Sequence, residues 1–173
     1  MNSPYMGYFK VTQTQHETHD GLDLVGLDSK NIHSTVDGTV IYAGWENDND
    51  HSQGFGQFVC IYSPVHMLYF YFGHLSEIKV KKGQTVKVTD IIGVEGNTGY
   101  STGSHCHYCA RRDFEVGNAV DISSISGIPN KLGSYDDGFR ENGINTTMLD
   151  TLKKMRQEVL NILNSLEDLI DRM

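Results

Sequence analysis

Short runs of apolar residues, separated by glycine- and aspartate-rich turns, fill the chain from about residue 36 to residue 111. Five of these runs have the length and the β-branched and aromatic content of strands: TVIYAGW, QFVCIYS, MLYFYFGH, DIIGVEG and HCHYCAR. In QFVCIYS and MLYFYFGH nearly every residue is apolar or aromatic, which is typical of central strands buried on both faces. The pattern therefore predicts a mainly β domain with an antiparallel β-sheet core.

The pattern changes in the last part of the chain. After the glycine- and asparagine-containing stretch SGIPNKLGSYDDGFRENG, apolar residues are spaced alternately three and four apart: Leu152, Met155, Val159, Ile162, Leu166, Leu169 and Met173. This spacing is the apolar seam of a coiled coil, and an amphipathic helix lying on the β domain is the alternative. We therefore predict a β domain over 1–135, a linker over 136–145 and a C-terminal α-helix over 146–173, coiled-coil-like and suited to form a homo-oligomer.

Composition and charge narrow the possible functions. The 173-residue chain is 38% hydrophobic and has a net charge of −8 without a basic stripe, so we expect a folded protein that binds no nucleic acid. We expect no membrane span, because no apolar run approaches the ~20 residues that cross a bilayer. The start, MNSPYMGYFK, lacks the features of a secretory signal. Three cysteines cannot all pair within one chain, which argues against a disulfide framework.

Three stretches contain residues that bind metals or transfer protons. In THDGLD, His19 and Asp23 are four residues apart, and a bend before an extended segment would turn both toward one point. In HCHYCAR, alternate side chains of a strand share a face, so His105, His107 and Cys109 point the same way. His74 ends the apolar run MLYFYFGH. Each stretch alone also has an ordinary structural explanation, because turns and strand ends often contain histidine.

The C-x-x-C spacing of Cys106 and Cys109 suits a zinc knuckle or a redox pair on a turn. On a strand, however, the two thiols point to opposite faces. Cys106 is therefore expected to be a small buried hydrophobic residue, whereas Cys109 lies on the same face as the histidines.

The order of these stretches resembles a known family. THDGLD, STVDGTVIYAGW and FGHLSEIKVKKGQTVKVTDIIGVEGNTGYSTGSHCHY, over about residues 15–110, are similar in order and register to peptidase family M23, the LytM or lysostaphin-like zinc endopeptidases that cut peptidoglycan. The resemblance includes the motifs H-x-x-x-D and H-x-H. It implies an antiparallel β-sheet core of the LytM, or duplicated-hybrid-motif, type.

The resemblance also implies roles for five residues. His19, Asp23 and His107 would bind Zn²⁺, and three protein ligands leave the fourth position that a catalytic zinc site keeps open. His74 and His105 would lie beside the zinc without binding it and would act as general base or stabilise the oxyanion.

The chain departs from the family pattern at the two cysteines of HCHYCAR. The family usually has Leu at the position of Cys106 and often Glu at that of Cys109. Cys109 is expected to be a bystander, although a thiolate at the site would favour softer metals.

The function that the resemblance implies is hydrolysis of peptide stems or cross-bridges of bacterial peptidoglycan at the cell wall. A groove between the polar segment 46–54 and residues 97–103 would admit a thin peptide, with Gly96, Gly99 and Gly103 allowing close backbone approach. Without a signal peptide in this chain, a phage-released endolysin and a fragment of a larger exported enzyme fit equally well. An inactive LytM-like binding or activating module and a zinc-stabilised structural module are the alternatives.

The predicted C-terminal helix leads to a test of oligomeric state. Burying one Leu or Ile contributes roughly 1.5–3 kcal/mol, so several exposed seam residues favour association with a partner helix. We expect light scattering to give the mass of a dimer or larger oligomer for the full chain and a monomer for a version ending near residue 145. A monomeric mass for both versions would show that the helix does not associate.

Overall fold

The computed structural model describes residues 2–114, 118–139, 155–159 and 162–163. The chain divides into two compact units, Met1–Asp137 and Gly138–Met173. In the second unit, residues 155–159 and 162–163 are helical and exposed. The rest of the predicted helix over 146–173, and residues 140–145 of the predicted linker, lie outside the described residues. The coiled coil and the homo-oligomer therefore stay predictions.

The first unit is a mainly β domain, and its described strands are numbered here in chain order. They are β1 (Tyr8–Gln13), β2 (Leu22–Gly26), β3 (Asn31–His33), β4 (Gly38–Trp45), β5 (Gln57–Ser63), β6 (Leu68–Gly73), β7 (Glu77–Ile78), β8 (Thr85–Val86), β9 (Ile91–Val94), β10 (Cys106–Arg111) and β11 (Gly133–Asp136). The described residues of this unit also contain a short helix, α1 (Ile122–Ser126), with Asp121 as its N-cap and Gly127 as its C-cap.

The strands form two antiparallel sheets. The large sheet has eight strands in the order β11-β1-β2-β10-β6-β5-β4-β8, and the small one has the order β3-β9-β7. All the described strand pairs are antiparallel, which confirms the predicted mainly β fold with an antiparallel core. The five runs identified from the hydrophobic pattern correspond to β4, β5, β6, β9 and β10.

One strand was not identified from the hydrophobic pattern. Residues Gly133–Asp136, within the stretch SGIPNKLGSYDDGFRENG, form β11. This strand pairs with β1, and Tyr135 lies opposite Phe9, onto whose ring it packs at a centroid distance of 6.0 Å. At the edge of the sheet, β11 gains backbone partners from β1 and an apolar contact with Phe9. Neither is apparent from the short, largely polar sequence of β11.

The central strands of the large sheet are buried on both faces, as predicted. Phe70 and Phe72 of β6 belong to the main core, which contains residues from both sheets, such as Ile92 of β9. Tyr71, between them in sequence, points to the other face and packs in a smaller cluster with Phe58, Cys60 and Cys109. The large sheet therefore has a second face that is partly apolar.

Strand β10 determines which residues meet on that second face. Its side chains alternate, so Tyr108 lies in the main core while His107 lies on the opposite face. Because β10 runs between β2 and β6, His107 lies opposite Asp23 on one side and opposite Gly73, the last residue of β6, on the other. The sheet register thus brings together motifs that are far apart in the sequence.

A buried carboxylate anchors the segment that leads into β10. Glu95 accepts hydrogen bonds from Tyr5 Oη (2.5 Å), Gly26 N (2.8 Å), Lys30 Nζ (2.8 Å) and Ser104 Oγ (2.6 Å). Burial would raise its pKa, but the hydrogen bonds from Lys30 and Ser104 outweigh burial and lower it. The ionised carboxylate ties the start of β10 to the ends of β2 and β9.

Candidate active site

Three of the predicted site residues meet at the base of a cleft. His19 lies in the turn before β2, Asp23 in β2 and His107 in β10. Asp23 Oδ1 is 3.1 Å from His19 Nε2 and 3.0 Å from His107 Nδ1, and the three candidate ligand atoms all lie within 4.8 Å of one another. A tetrahedral zinc ion with bonds of about 2.0–2.1 Å separates its ligand atoms by about 3.3 Å. The observed set fits such an ion.

Hydrogen bonds determine which ring nitrogen of each histidine faces this point. His19 Nδ1 lies 2.9 Å from the carbonyl oxygen of Thr14, and since a carbonyl only accepts, Nδ1 carries the proton and Nε2 is left with its lone pair. His107 Nε2 lies 3.0 Å from Asp20 Oδ1, and a neutral ring with its proton on Nε2 directs the Nδ1 lone pair at Asp23. Two imidazole nitrogens and a carboxylate oxygen of Asp23 thus face one another, an arrangement that favours a cation between them.

The electrostatics of the cluster support the same conclusion. Burial lowers the pKa of His107, but hydrogen bonds to Asp20 and Asp23 outweigh burial and raise its pKa well above the ordinary value. Burial raises the pKa of Asp23, and the hydrogen bonds from His107 and His19 more than reverse this, so its pKa is lowered and it is ionised at neutral pH. The position between His107 and Asp23 therefore favours positive charge, which a proton or a metal ion would supply.

The other two predicted site residues lie beside this cluster. The rings of His74 and His105 are 4.6 Å apart between centroids, and His105 Nε2 is 3.5 Å from Asp23 Oδ2. His74 Nδ1 donates to the carbonyl oxygen of Thr98 (2.7 Å), and His105 Nδ1 donates to that of Gly103 (2.8 Å). In both rings the proton is therefore on Nδ1, and Nε2 is available for chemistry when the ring is neutral.

His74 is held in an uncommon backbone conformation. Its φ of 62° lies in the left-handed region, where residues other than glycine are rare. The backbone N–H of His74 donates to the carbonyl of Phe55 (2.7 Å), which helps to hold this conformation. Burial, and then the charge of His105, lowers the pKa of His74 to about 4. The ring is neutral at neutral pH and has a lone pair that can accept a proton.

Two residues of the site were not identified from the sequence. Asp20, next to His19, accepts hydrogen bonds from Arg111 Nε (2.9 Å) and from Arg111 Nη2 (2.6 Å), in addition to its contact with His107. Burial raises the pKa of Asp20, but hydrogen bonds from His107 and Arg111 lower it well below its usual value. Strand alternation would have placed Arg111 on the face of His107, whereas an Asp before Gly in a turn has no distinctive sequence signal.

The cysteines take the positions predicted for a strand. Cys106 lies in the main core and Cys109 in the smaller cluster on the other face, and both are fully buried. A Cβ built on Gly21 would lie 2.8 Å from Cys109 Cβ and 2.9 Å from His107 Nε2, so Cys109 is on the Nε2 side of that ring. The cation position is on the Nδ1 side. Burial raises the pKa of the Cys106 thiol well above its ordinary value and keeps it protonated.

A cleft of about 500 Å³ opens above these residues, and all five predicted site residues line it. Both predicted walls line the cleft. Glu46, Gly54 and the adjacent Phe55 belong to one wall, and Tyr100, Ser101 and Thr102 belong to the other. The three glycines expected beside the groove have different surroundings. Gly96 and Gly99 allow close approach of the protein's own backbone at Ser76 and Gly56, and Gly103 alone of the three faces open space.

Comparison with known proteins gives consistent matches. The sequence model of Peptidase family M23 matches residues 17–122. The glycyl-glycine endopeptidase ALE-1 of Staphylococcus capitis is 33% identical over 90 residues, which are 52% of this chain and 24% of the relative. The catalytic domain of lysostaphin, an antimicrobial peptidase from Staphylococcus simulans, has a TM-score of 0.57 at 26% identity and covers 69% of this chain and 90% of its own.

A third match concerns a metal-containing relative. A zinc-containing peptidase from Vibrio cholerae has a TM-score of 0.50 at 29% identity, covering 60% of this chain and 33% of that one. The chain spans about a quarter of the length of the curated relatives it matches. Across the described ranges, no helix is long and apolar enough to cross a bilayer.

The geometry at Gly21 gives a test of the site's packing. A Cβ at this position would lie 2.6 Å from the carbonyl oxygen of Tyr108 and 2.9 Å from His107 Nε2, so Gly21→Ala must displace β10. We expect the free energy of unfolding, measured with urea in the presence of a chelator, to fall by roughly 1–3 kcal/mol. Gly103→Ala, with no atom within 4 Å of the added carbon, is the matched control. Equal stabilities of the two variants would contradict the packing described here.

Proposed function

Because the chain belongs to peptidase family M23, we propose that it is a zinc-dependent endopeptidase that hydrolyses peptide stems or cross-bridges of bacterial peptidoglycan. The observation that carries the proposal is the convergence of three ligand atoms, from His19, Asp23 and His107, on one position at the base of the cleft. The names of two relatives, a glycyl-glycine endopeptidase and an antimicrobial peptidase, support a bacterial cell-wall peptide as substrate and the cell wall as the place of action.

His19, Asp23 and His107 would hold the zinc. When bound, zinc supplies Lewis acidity: it polarises the scissile carbonyl and makes a water molecule acidic enough to attack near neutral pH. No side chain of the protein is then required as the nucleophile. The buried thiol of Cys106 and the position of Cys109 on the far side of His107 agree with a reaction that uses no cysteine.

His74 and His105 have different surroundings, which suggests different roles. His74 is neutral at neutral pH, because burial and the nearby charge of His105 lower its pKa to about 4, and its Nε2 is free. We assign to it the acceptance of a proton from the attacking water. His105 Nε2 lies 3.5 Å from Asp23 Oδ2, beside the ligand cluster, and its Nδ1 is held by the carbonyl oxygen of Gly103. We assign to His105 the stabilisation of the oxyanion of the tetrahedral intermediate, by donation of a hydrogen bond from Nε2.

The cleft determines how a substrate peptide would be placed. The two walls leave a passage over the histidines, and Tyr100, at 84% exposure, offers its ring at the rim. An extended peptide lying in this passage would bring one backbone carbonyl close to His105 and His74. The presence of all five family residues in one cleft favours an enzyme over the inactive binding or activating module.

Digestion of purified cell walls tests the proposed function. We expect the protein to release new amino termini from peptidoglycan, a chelator to stop the release, and added Zn²⁺ to restore it. Walls with glycine bridges and walls with direct cross-links, digested in parallel, identify the bond from the sequence at the new termini. No new amino terminus from either wall type, with a zinc-loaded protein, would contradict an endopeptidase function.

Substitutions separate metal ligands from proton-transfer residues. We expect about one zinc per chain in the unaltered protein by elemental analysis, and loss of this zinc in Asp23→Ala and His107→Ala. His74→Ala and His105→Ala should keep the zinc while turnover falls by roughly 10²- to 10⁴-fold, the usual contribution of a positioned acid–base group. Loss of zinc in His74→Ala or His105→Ala, or its retention in both ligand variants, would contradict these roles.

A further inference from the structure

Three side chains behind the candidate metal position form a continuous hydrogen-bonded chain. His107 Nε2 contacts Asp20 Oδ1 at 3.0 Å, on the side of the ring opposite Asp23. The other carboxylate oxygen of Asp20 accepts from Arg111 Nε at 2.9 Å and from Arg111 Nη2 at 2.6 Å. Each oxygen of Asp20 therefore has its own donor, and the carboxylate links two residues of β10 that lie four apart in the sequence.

Arg111 is itself fixed in place. Its guanidinium carbon lies 5.1 Å from the ring centroid of Phe55 and 4.7 Å from that of Tyr71, distances at which a cation is attracted to an aromatic face. The residue is 6% exposed, which is rare for arginine without a paired carboxylate. The planar guanidinium thus holds Asp20 in one orientation, which a flexible lysine ammonium would do less well.

We propose that Asp20 and Arg111 are positioning residues for the metal ligand His107, a proposal that rests on the proposed function. Asp20 keeps the proton of His107 on Nε2 and so directs the Nδ1 lone pair to the point shared with Asp23 and His19. A carboxylate that accepts from a metal-ligating imidazole fixes the orientation of the ring and makes it a better ligand. Arg111 keeps the carboxylate aligned for this hydrogen bond.

The contacts of Asp20 also argue against a metal ion at a second group of potential ligands. Asp20, His107 and Cys109 also offer atoms within 4.8 Å of one another. The guanidinium of Arg111, hydrogen-bonded to Asp20, already places a positive charge beside this group. A cation bound there would be repelled by Arg111 and would have to take its carboxylate partner. We therefore assign to Asp20 the support of one metal position, on the Nδ1 side of His107, and no second metal site on the Nε2 side.

Asp20→Asn is the sharpest variant for a test. The amide has the shape of the carboxylate but only one oxygen, so it cannot accept from both His107 and Arg111, and its NH₂ group must face one of these donors. The control is Glu17→Gln, which removes the same charge from an exposed side chain in the same loop. Neither substitution changes a proposed ligand. Arg111→Lys keeps the charge and loses the planar fork.

The measurement is the affinity for Zn²⁺ alone, determined by competition with a chromogenic chelator, together with the visible absorption spectrum of the Co²⁺-substituted protein. Asp20→Asn should bind Zn²⁺ roughly 10- to 100-fold more weakly, the usual effect of losing a partner of a metal ligand. The Co²⁺ bands should shift, because the ligand His107 is reoriented. Arg111→Lys should lie between Asp20→Asn and the unaltered protein, whereas Glu17→Gln should match the unaltered protein in both readings.

The outcomes distinguish this inference from the proposed function. If the unaltered protein binds Zn²⁺ and cleaves peptidoglycan while Asp20→Asn has the same affinity and Co²⁺ spectrum, the positioning role is wrong and the function stands. An unaltered protein that binds no Zn²⁺ would contradict the proposed function itself. If Asp20→Asn lowered only the thermal stability of the metal-free protein, the pair would be structural, which also overturns the positioning role.

Discussion

A neutral imidazole ring directs the lone pair of one nitrogen at a metal or a substrate when the other nitrogen carries the proton. A hydrogen-bond acceptor beside that other nitrogen holds the proton there. Every histidine of the candidate site meets this condition. The carbonyl oxygens of Thr14, Thr98 and Gly103 each accept from an Nδ1 atom, so three rings present Nε2. The fourth ring is turned the other way, because Asp20 accepts from Nε2 and Nδ1 is left to face the cluster.

The sheet and the loops contribute different parts of the candidate site. Sheet register places Asp23 opposite His107, and this pairing depends on hydrogen bonds along β2 and β10. The carbonyl acceptors, in contrast, belong to the segments before β2 and before β10. Glu95 anchors one of these segments through Ser104. The sheet therefore fixes where the site lies, and the loops fix how its rings are oriented.

The sequence predicted the parts of this arrangement that have a regular signal. Period-two alternation identified the shared face of His105, His107 and Cys109, and the apolar runs identified five strands of the first unit. The resemblance to peptidase family M23 supplied the grouping of the five site residues, which no single motif could give. The sequence did not reveal the role of Asp20 or the strand β11, because both depend on contacts between residues about 90 or more apart along the chain.

The nitrogen that each histidine ring turns toward the cluster, set by the acceptor behind the ring, can be observed directly. In a long-range ¹H–¹⁵N correlation spectrum of the zinc-loaded protein labelled in histidine, we expect His107 to carry its proton on Nε2, with zinc at Nδ1. His19 should show the reverse, with its proton on Nδ1 and zinc at Nε2. A proton on Nδ1 of His107, or the same pattern in both rings, would contradict the account.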